Sequence, residues 1–195
     1  MKTNSRSLVR LCILAGALAL APAAHAADPD ITALKAEAAA IMKVFGGSLQ
    51  AELKAAMERG GPVEAIQVCA AKAVPLADKA SAESGWSVGR TSHKLRNPRN
   101  APDAFEQAVL DDFLARQAKG EAAADMAHAA VVDGPDGKVF RFVKAIPTGE
   151  PCLACHGSTI APEVAKELDS LYPGDAARGF SAGQMRGVFT LSKPL

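Results

Sequence analysis

Two cysteines three positions apart with a histidine directly after them, Cys152-Leu153-Ala154-Cys155-His156, constrain this chain more than any other segment. Thiols at that spacing reach the two vinyl groups of one porphyrin and form thioethers, and the adjacent imidazole of His156 is then carried to the iron. A fold built around this motif must keep room beside it for a large flat macrocycle. One motif implies one covalently held haem c. Two other readings compete and are poorer. A thioredoxin-like dithiol sits at a strand-to-helix junction early in a βαβ unit, whereas this motif follows Pro147-Thr148-Gly149-Glu150-Pro151 late in the chain. A closed zinc site built on Cys152, Cys155 and His156 needs a fourth ligand.

The compartment agrees with the haem reading. Residues 1–26 open with Lys2, Arg6 and Arg10, run through the apolar stretch Leu11 to Leu20 and end in Ala24-His25-Ala26. That is the pattern of a cleavable secretory signal. The apolar stretch is about half of the roughly 20 residues that a membrane span needs, and no later segment is apolar enough to span. A periplasmic protein is expected, with residues 27–195 forming a single haem domain. Cys12 lies at the start of the apolar stretch and is expected to leave with the signal. Of the four cysteines, Cys69, Cys152 and Cys155 then survive in an oxidising compartment. Three thiols cannot all pair internally, so at least one has another role. With 22 Lys+Arg against 21 Asp+Glu, the charge gives no support to nucleic-acid binding, and 49% hydrophobic residues exclude a disordered chain.

The iron's sixth ligand is open from the residues alone. His93, His128, Met42, Met57, Met126, Met185 and Cys69 are all candidates. Cys69 stands apart as the unpaired thiol, and Ile66, Cys69, Ala70 and Ala73 recur at the spacing of one helix face, which points its sulfur inward. The competing reading makes Cys69 a small buried hydrophobe. Arg90, Lys94, Arg96 and Arg99 form a basic stretch. Arg90 and Arg96 are candidates for pairing with the haem propionates, against the alternative of a solvated loop.

Apolar residues at Leu34, Ala38, Ile41, Phe45, Leu49, Leu53 and Met57 predict a long amphipathic helix from Asp30, ended by Gly60-Gly61-Pro62. A second helix is expected from Pro62 to Ala80, bent or interrupted at Pro75. Trp86 to Arg90 alternates as a strand, and Asp103 is placed to cap a helix from Ala104 to about Ala118. Ala129–Val132 and Lys138–Ile146 read as a hairpin joined through Asp133-Gly134-Pro135-Asp136-Gly137. A short helix comes next over Ala161–Leu171, then a Pro/Gly-rich loop over Tyr172–Gly183, then a strand over Arg186–Ser192. Helices lead and a small antiparallel sheet forms late, which is an α+β arrangement.

Taken together, Ala65-Ile66 with Cys69, Val88-Gly89-Arg90-Thr91-Ser92, Arg96-Asn97-Pro98 with Asn100, the Cys152–Gly157 segment, and Asp175 and Gly179 with Arg186-Gly187 carry a resemblance. From about Ala33 to Leu191 the chain resembles a family of exported single-haem c-type proteins of unknown function, typified by a cyanobacterial haem protein. It departs at Gln184-Met185, where an acidic residue is common. The resemblance implies a PAS-like sheet and axial ligation by His156 and Cys69. Ligation of that kind fills both axial positions and favours ferric iron. One-electron transfer with a protein partner is the leading expectation. A redox or gas sensor signalling through a partner ranks close to it, and an enzyme of sulfur oxyanion chemistry stands well behind.

Overall fold

A computed structural model of the chain describes residues 30–195. The export signal read in residues 1–26, and Cys12 with it, lies outside the described residues. Asp30 starts the first helix by accepting hydrogen bonds from the backbone N–H groups of Thr32 and Ala33 at 2.9 and 3.0 Å. The helix, α1 (Ile31–Ser84), is two arms joined at a kink, because Gly60 (φ −144°, ψ 17°) and Gly61 (φ 69°, ψ −161°) leave helical geometry. Leu34, Ala38 and Phe45 of the expected apolar face are buried, but the face fades beyond Leu49: Ala56 is buried and Met57 is exposed.

The second arm corrects two expectations. It runs to Ser84 rather than Ala80, ending at Gly85 in the left-handed conformation, and Pro75 lies inside it without a break. A proline there removes the hydrogen bond to the carbonyl of Ala71. Ala71 and Pro75 are both exposed, so water can serve that carbonyl in its place.

Four strands form one antiparallel sheet in the order β1-β4-β3-β2: β1 (Ser87–Thr91), β2 (Ala127–Gly134), β3 (Gly137–Pro147) and β4 (Met185–Pro194). Between β3 and β4 lies the longest pairing, running from Val139↔Pro194 to Pro147↔Met185 with a register shift at Ile146/Pro147. The hairpin between β2 and β3 is tighter than expected, with Gly134 paired to Gly137 across Pro135-Asp136. Trp86 precedes β1 rather than starting it; its ring is buried, and its indole N–H donates to Glu37 Oε1 at 2.8 Å.

Alternation along β3 and β4 gives each sheet face its own cover. Phe140, Phe142 and Leu191 pack with Leu34, Ala38, Phe45 and Trp86 under the first arm of α1. Val143, Ala145 and Val188 point the other way, onto Val109, Leu110 and Phe113 of α2 (Ala104–Ala118). Helix α2 begins in a capping box between Asp103 and Glu106. The architecture is therefore α+β, with helices on both sides of a small antiparallel sheet. One helical turn, α3 (Leu153–His156), and α4 (Pro162–Leu171) fill the connection from β3 to β4. No helix among the described residues is long and apolar enough to cross a membrane.

Candidate haem-binding cradle

The motif lies on a short 3-10 turn, Glu150–Cys152, which runs directly into α3. Pro151 supplies a fixed φ at the start of that turn, and the two cysteines stand one on each side of its junction with the helix. A single helical turn has too few internal hydrogen bonds to hold itself, so the motif depends on the loop after α4. Four contacts grip it. Arg96 Nη2 donates to the Cys155 carbonyl at 2.6 Å, and His156 Nδ1–H donates to the Ala177 carbonyl at 2.8 Å. The backbone N–H of Phe180 donates to His156 O, and that of Gly179 to Gly157 O, both at 2.9 Å. With Nδ1 committed to a carbonyl, Nε2 is the nitrogen left for a metal, as in most histidine-ligated centres. Burial, with the charges of Arg96 and Arg186 adding to it, pushes the imidazole's pKa down to about 3 against the pull of the Ala177 carbonyl and Asp175. A neutral ring is the form that ligates.

The opposite wall comes from the second arm of α1. Ile66 packs with Val164 and Leu168 of α4, and Val63, Cys155, Ile160 and Tyr172 close around that cluster. Gln67 donates to Glu167 at 2.9 Å and fixes the two helices in register. Cys69 lies one turn beyond Ile66 and is half-buried, where the helical spacing alone suggests a buried face. Burial raises its pKa, opposed by the charges of Arg90, Arg96 and Arg186. Cys152 and Cys155 are also half-buried free thiols, and burial raises the pKa of Cys155.

Three guanidinium groups surround these thiols, but their partners differ. Arg96 is engaged: its Nε and Nη2 meet Asp175 at 3.1 and 3.2 Å. Arg90 and Arg186 form no ion pair among the described residues, and Arg186 Nε is buried without a hydrogen-bond partner. Each has its pKa lowered by burial, and on Arg90 the repulsion of Arg186 adds to that. Half-buried cations without a carboxylate partner call for anions. Three thiols, a neutral imidazole and two guanidinium groups that pair with no carboxylate are a donor set that fits a haem with two propionates. Arg186 is legible in the sequence only as a neighbour of Gly187; its strand position on β4 brings it beside β1, where Gly187 makes the close approach. A Cβ there would fall 2.6 Å from Thr91 O, and φ is +158°.

The methionine candidates and His128 lie elsewhere, and His93 is separated from His156 by the Phe180 ring. Met126 and Met185 are fully buried in the core beneath α2, and Met185 belongs to a strand rather than a Gly-rich turn. Met42, on the first arm of α1, packs against the cluster over the sheet, Met57 is exposed, and His128 on the edge strand β2 meets Phe105 at a tilt of 49°. His93 meets the edge of Phe180 at 5.8 Å, and Phe180 in turn meets His156 at 6.3 Å. Lys94 is held by the Arg178 carbonyl over the Phe180 ring, and Arg99 lies on the 3-10 turn Pro98–Asn100. Gln184, at the position where an acid is common, closes its own turn by accepting from Ser181 N at 2.8 Å. Among the described residues no group of three or more His, Cys, Asp and Glu side chains is arranged to hold a bare metal ion.

Comparison with known proteins bears on the whole domain. The model of a family described as Tll0287-like matches residues 23–194. Among solved structures, the chain is similar to the crystal structure of the cyanobacterial heme-protein Tll0287, with a TM-score of 0.59 and 24% identity. The match covers 87% of this chain and 97% of that one. At that identity the likeness shows a shared fold. No functionally curated protein matches the chain.

Proposed function

The chain belongs to the Tll0287-like family, and on that premise we propose that it is an exported, periplasmic protein that holds one haem c and passes single electrons to or from a protein partner. In this reading Cys152 and Cys155 hold the porphyrin by thioethers, His156 is the proximal ligand and Cys69 the distal one. The observation that supports it most directly is the lone Cys69 thiol on the arm facing the motif, with the guanidinium groups of Arg90 and Arg186 near these thiols and without carboxylate partners.

When bound, the haem supplies a one-electron iron couple and two carboxylates. Arg90 and Arg186 provide the charge that those carboxylates need. Arg96 carries the same sign but spends two of its donors on Asp175 and one contact on Cys155 O, so its part is to hold the motif and add to the local positive field. His156 presents Nε2 because Ala177 has taken Nδ1. With Cys69 as the second ligand, the iron would be held twice by this chain. Such a site would keep no position for a substrate, which favours electron transfer over sulfur oxyanion catalysis.

The test is the visible and near-infrared spectrum of protein exported with a c-haem maturation system, ferric and then ferrous, for wild type and Cys69→Ala. A low-spin thiolate signature lost in the variant supports the Cys69/His156 pair. Bands of bis-histidine or His/Met type that the variant leaves unchanged overturn it and make Cys69 a packing residue. A ligand change on reduction of the wild type moves the reading from carrier to sensor.

A further inference from the structure

Asp175 is almost completely enclosed, with its side chain 1% exposed, yet it is a carboxylate with four hydrogen bonds. Its Oδ1 accepts from Arg96 Nε at 3.1 Å and from the backbone N–H of Ala177 at 2.9 Å. Its Oδ2 accepts from Arg96 Nη2 at 3.2 Å and from Arg178 Nε at 2.8 Å. Both donors that flank it also reach outward: Arg96 to the Cys155 carbonyl, Arg178 to Asp169 near the end of α4. The carboxylate is therefore the point where the motif, α4 and the loop over 175–180 are tied together.

That loop bears directly on the histidine's chemistry. It carries the Ala177 carbonyl that accepts from His156 Nδ1–H and, at 3.4 Å, from Arg96 Nη2, and Asp175 holds both Arg96 and the Ala177 N–H. A carbonyl in that position sets the tautomer and plane of a ligating imidazole, and it strengthens the ligand by drawing on the N–H proton. The remaining grips on the motif, from Phe180 N and Gly179 N, hold backbone and do not touch the ring.

Resting on the haem reading above, we infer that Asp175, clamped by Arg96, is a positioning residue for His156, which fixes the orientation of the imidazole and its donor strength through the Ala177 carbonyl. Asp175 does not touch the iron ligand. It acts by keeping the acceptor of the Nδ1–H bond in one place, and a looser acceptor makes the imidazole a poorer donor and favours ferrous iron.

The informative variants conserve charge, so that a change of field does not imitate a change of geometry. Asp175→Glu pushes the carboxylate one methylene toward Arg96 and Ala177, and Arg96→Lys keeps the cation but loses the planar two-point grip. Asp169→Glu alters only the outer partner of Arg178 and is the control. Each is exported with a c-haem maturation system and measured for covalent haem by mass, for ferric g-values by electron paramagnetic resonance, and for midpoint potential. The expected result is full haem attachment with shifted g-values and a raised potential in Asp175→Glu and Arg96→Lys, and wild-type values in Asp169→Glu. Wild-type g-values and potential in both test variants overturn the inference. If Asp175→Glu fails to fold, Asp175→Asn takes its place with the g-values deciding, because Arg96→Lys also removes direct contacts with the Cys155 and Ala177 carbonyls. A wild type without covalent haem is a failure of the functional reading, visible in the mass before any variant is compared.

Discussion

Arg90 and Arg186 show how far a single residue's role depends on what comes to lie beside it. In the sequence Arg90 belongs to a basic stretch and Arg186 to the start of the last strand, and neither position announces a deficit of negative charge. Folding brings them together around Cys69 with no carboxylate partner among the described residues. Replacing either by Gln is expected to lower the haem's midpoint potential, since a nearby cation favours the reduced iron. The expected effect is on the order of 1–2 kcal/mol, or tens of millivolts for one electron. In haem-free protein the same substitutions are expected not to destabilise, because each removes a half-buried charge that repels the other; potentiometry and thermal melts check the two signs. Asp103 is the opposite case, readable in advance as a cap. Burial opposes its ionisation, but the Glu106 N–H and Arg141 outweigh that and hold its carboxyl below the usual range. Its contribution is complete above the unfolded pKa near ~4 and is lost as pH falls through the lower folded value. Asp103→Asn keeps a capping oxygen, so it is expected to flatten the acid limb of a stability–pH curve. Asp103→Ala is expected to cost about 1 kcal/mol at neutral pH, as measured by urea unfolding.

At the scale of elements, the helix starts and the hairpin are legible because they are local. Asp30 and Asp103 cap the helices that begin beside them, and Gly134 and Gly137 frame a two-residue turn. The glycine pair at 60–61 marks a break in the sequence pattern, but nothing local shows that it is a kink between two arms with different partners. The first arm covers the sheet, and the second packs on α4 at its start, through Val63 and Ile66, before Leu76, Ala77 and Ala80 return to the cluster over the sheet. Gly61, at φ 69° and ψ −161°, adopts a backbone that other residues avoid, which is how the chain changes direction without a loop. Helix α4 then acts as a strut between the arm that carries Cys69 and the turn that carries His156. Leu168 is fully buried in that contact with Ile66 and Val164. Leu168→Ala is expected to cost about 2–4 kcal/mol by urea unfolding. It is also expected to weaken the Cys69-dependent bands of the haem spectrum while leaving covalent attachment intact.

For the molecule as a whole, the motif half of the candidate site and the half that faces it differ in how they are encoded. Cys152, Cys155 and His156 lie within five consecutive residues, so no folding is needed to read them as a set. The alternating strands and amphipathic helices likewise carry their periods in the chain, and they are enough for an α+β protein with a small antiparallel sheet. The strand order is not local: β4, last in the chain, lies between β1 and β3. That placement sets Arg186 near Arg90, and it encloses the loop over 175–180 against the motif. Methionines that sequence spacing leaves as ligand candidates, Met126 and Met185, become core beneath α2, because burial depends on which face of the sheet each element covers. Sequence by itself determined the Cys-x-x-Cys-His motif, the element types and the odd thiol, each a property of neighbours or of a short period. Only the tertiary structure decided which distant side chains share the cradle, which arginine is already paired, and that Asp175 stands behind His156. Those are sums over contacts between segments far apart in the chain, and no local pattern contains them.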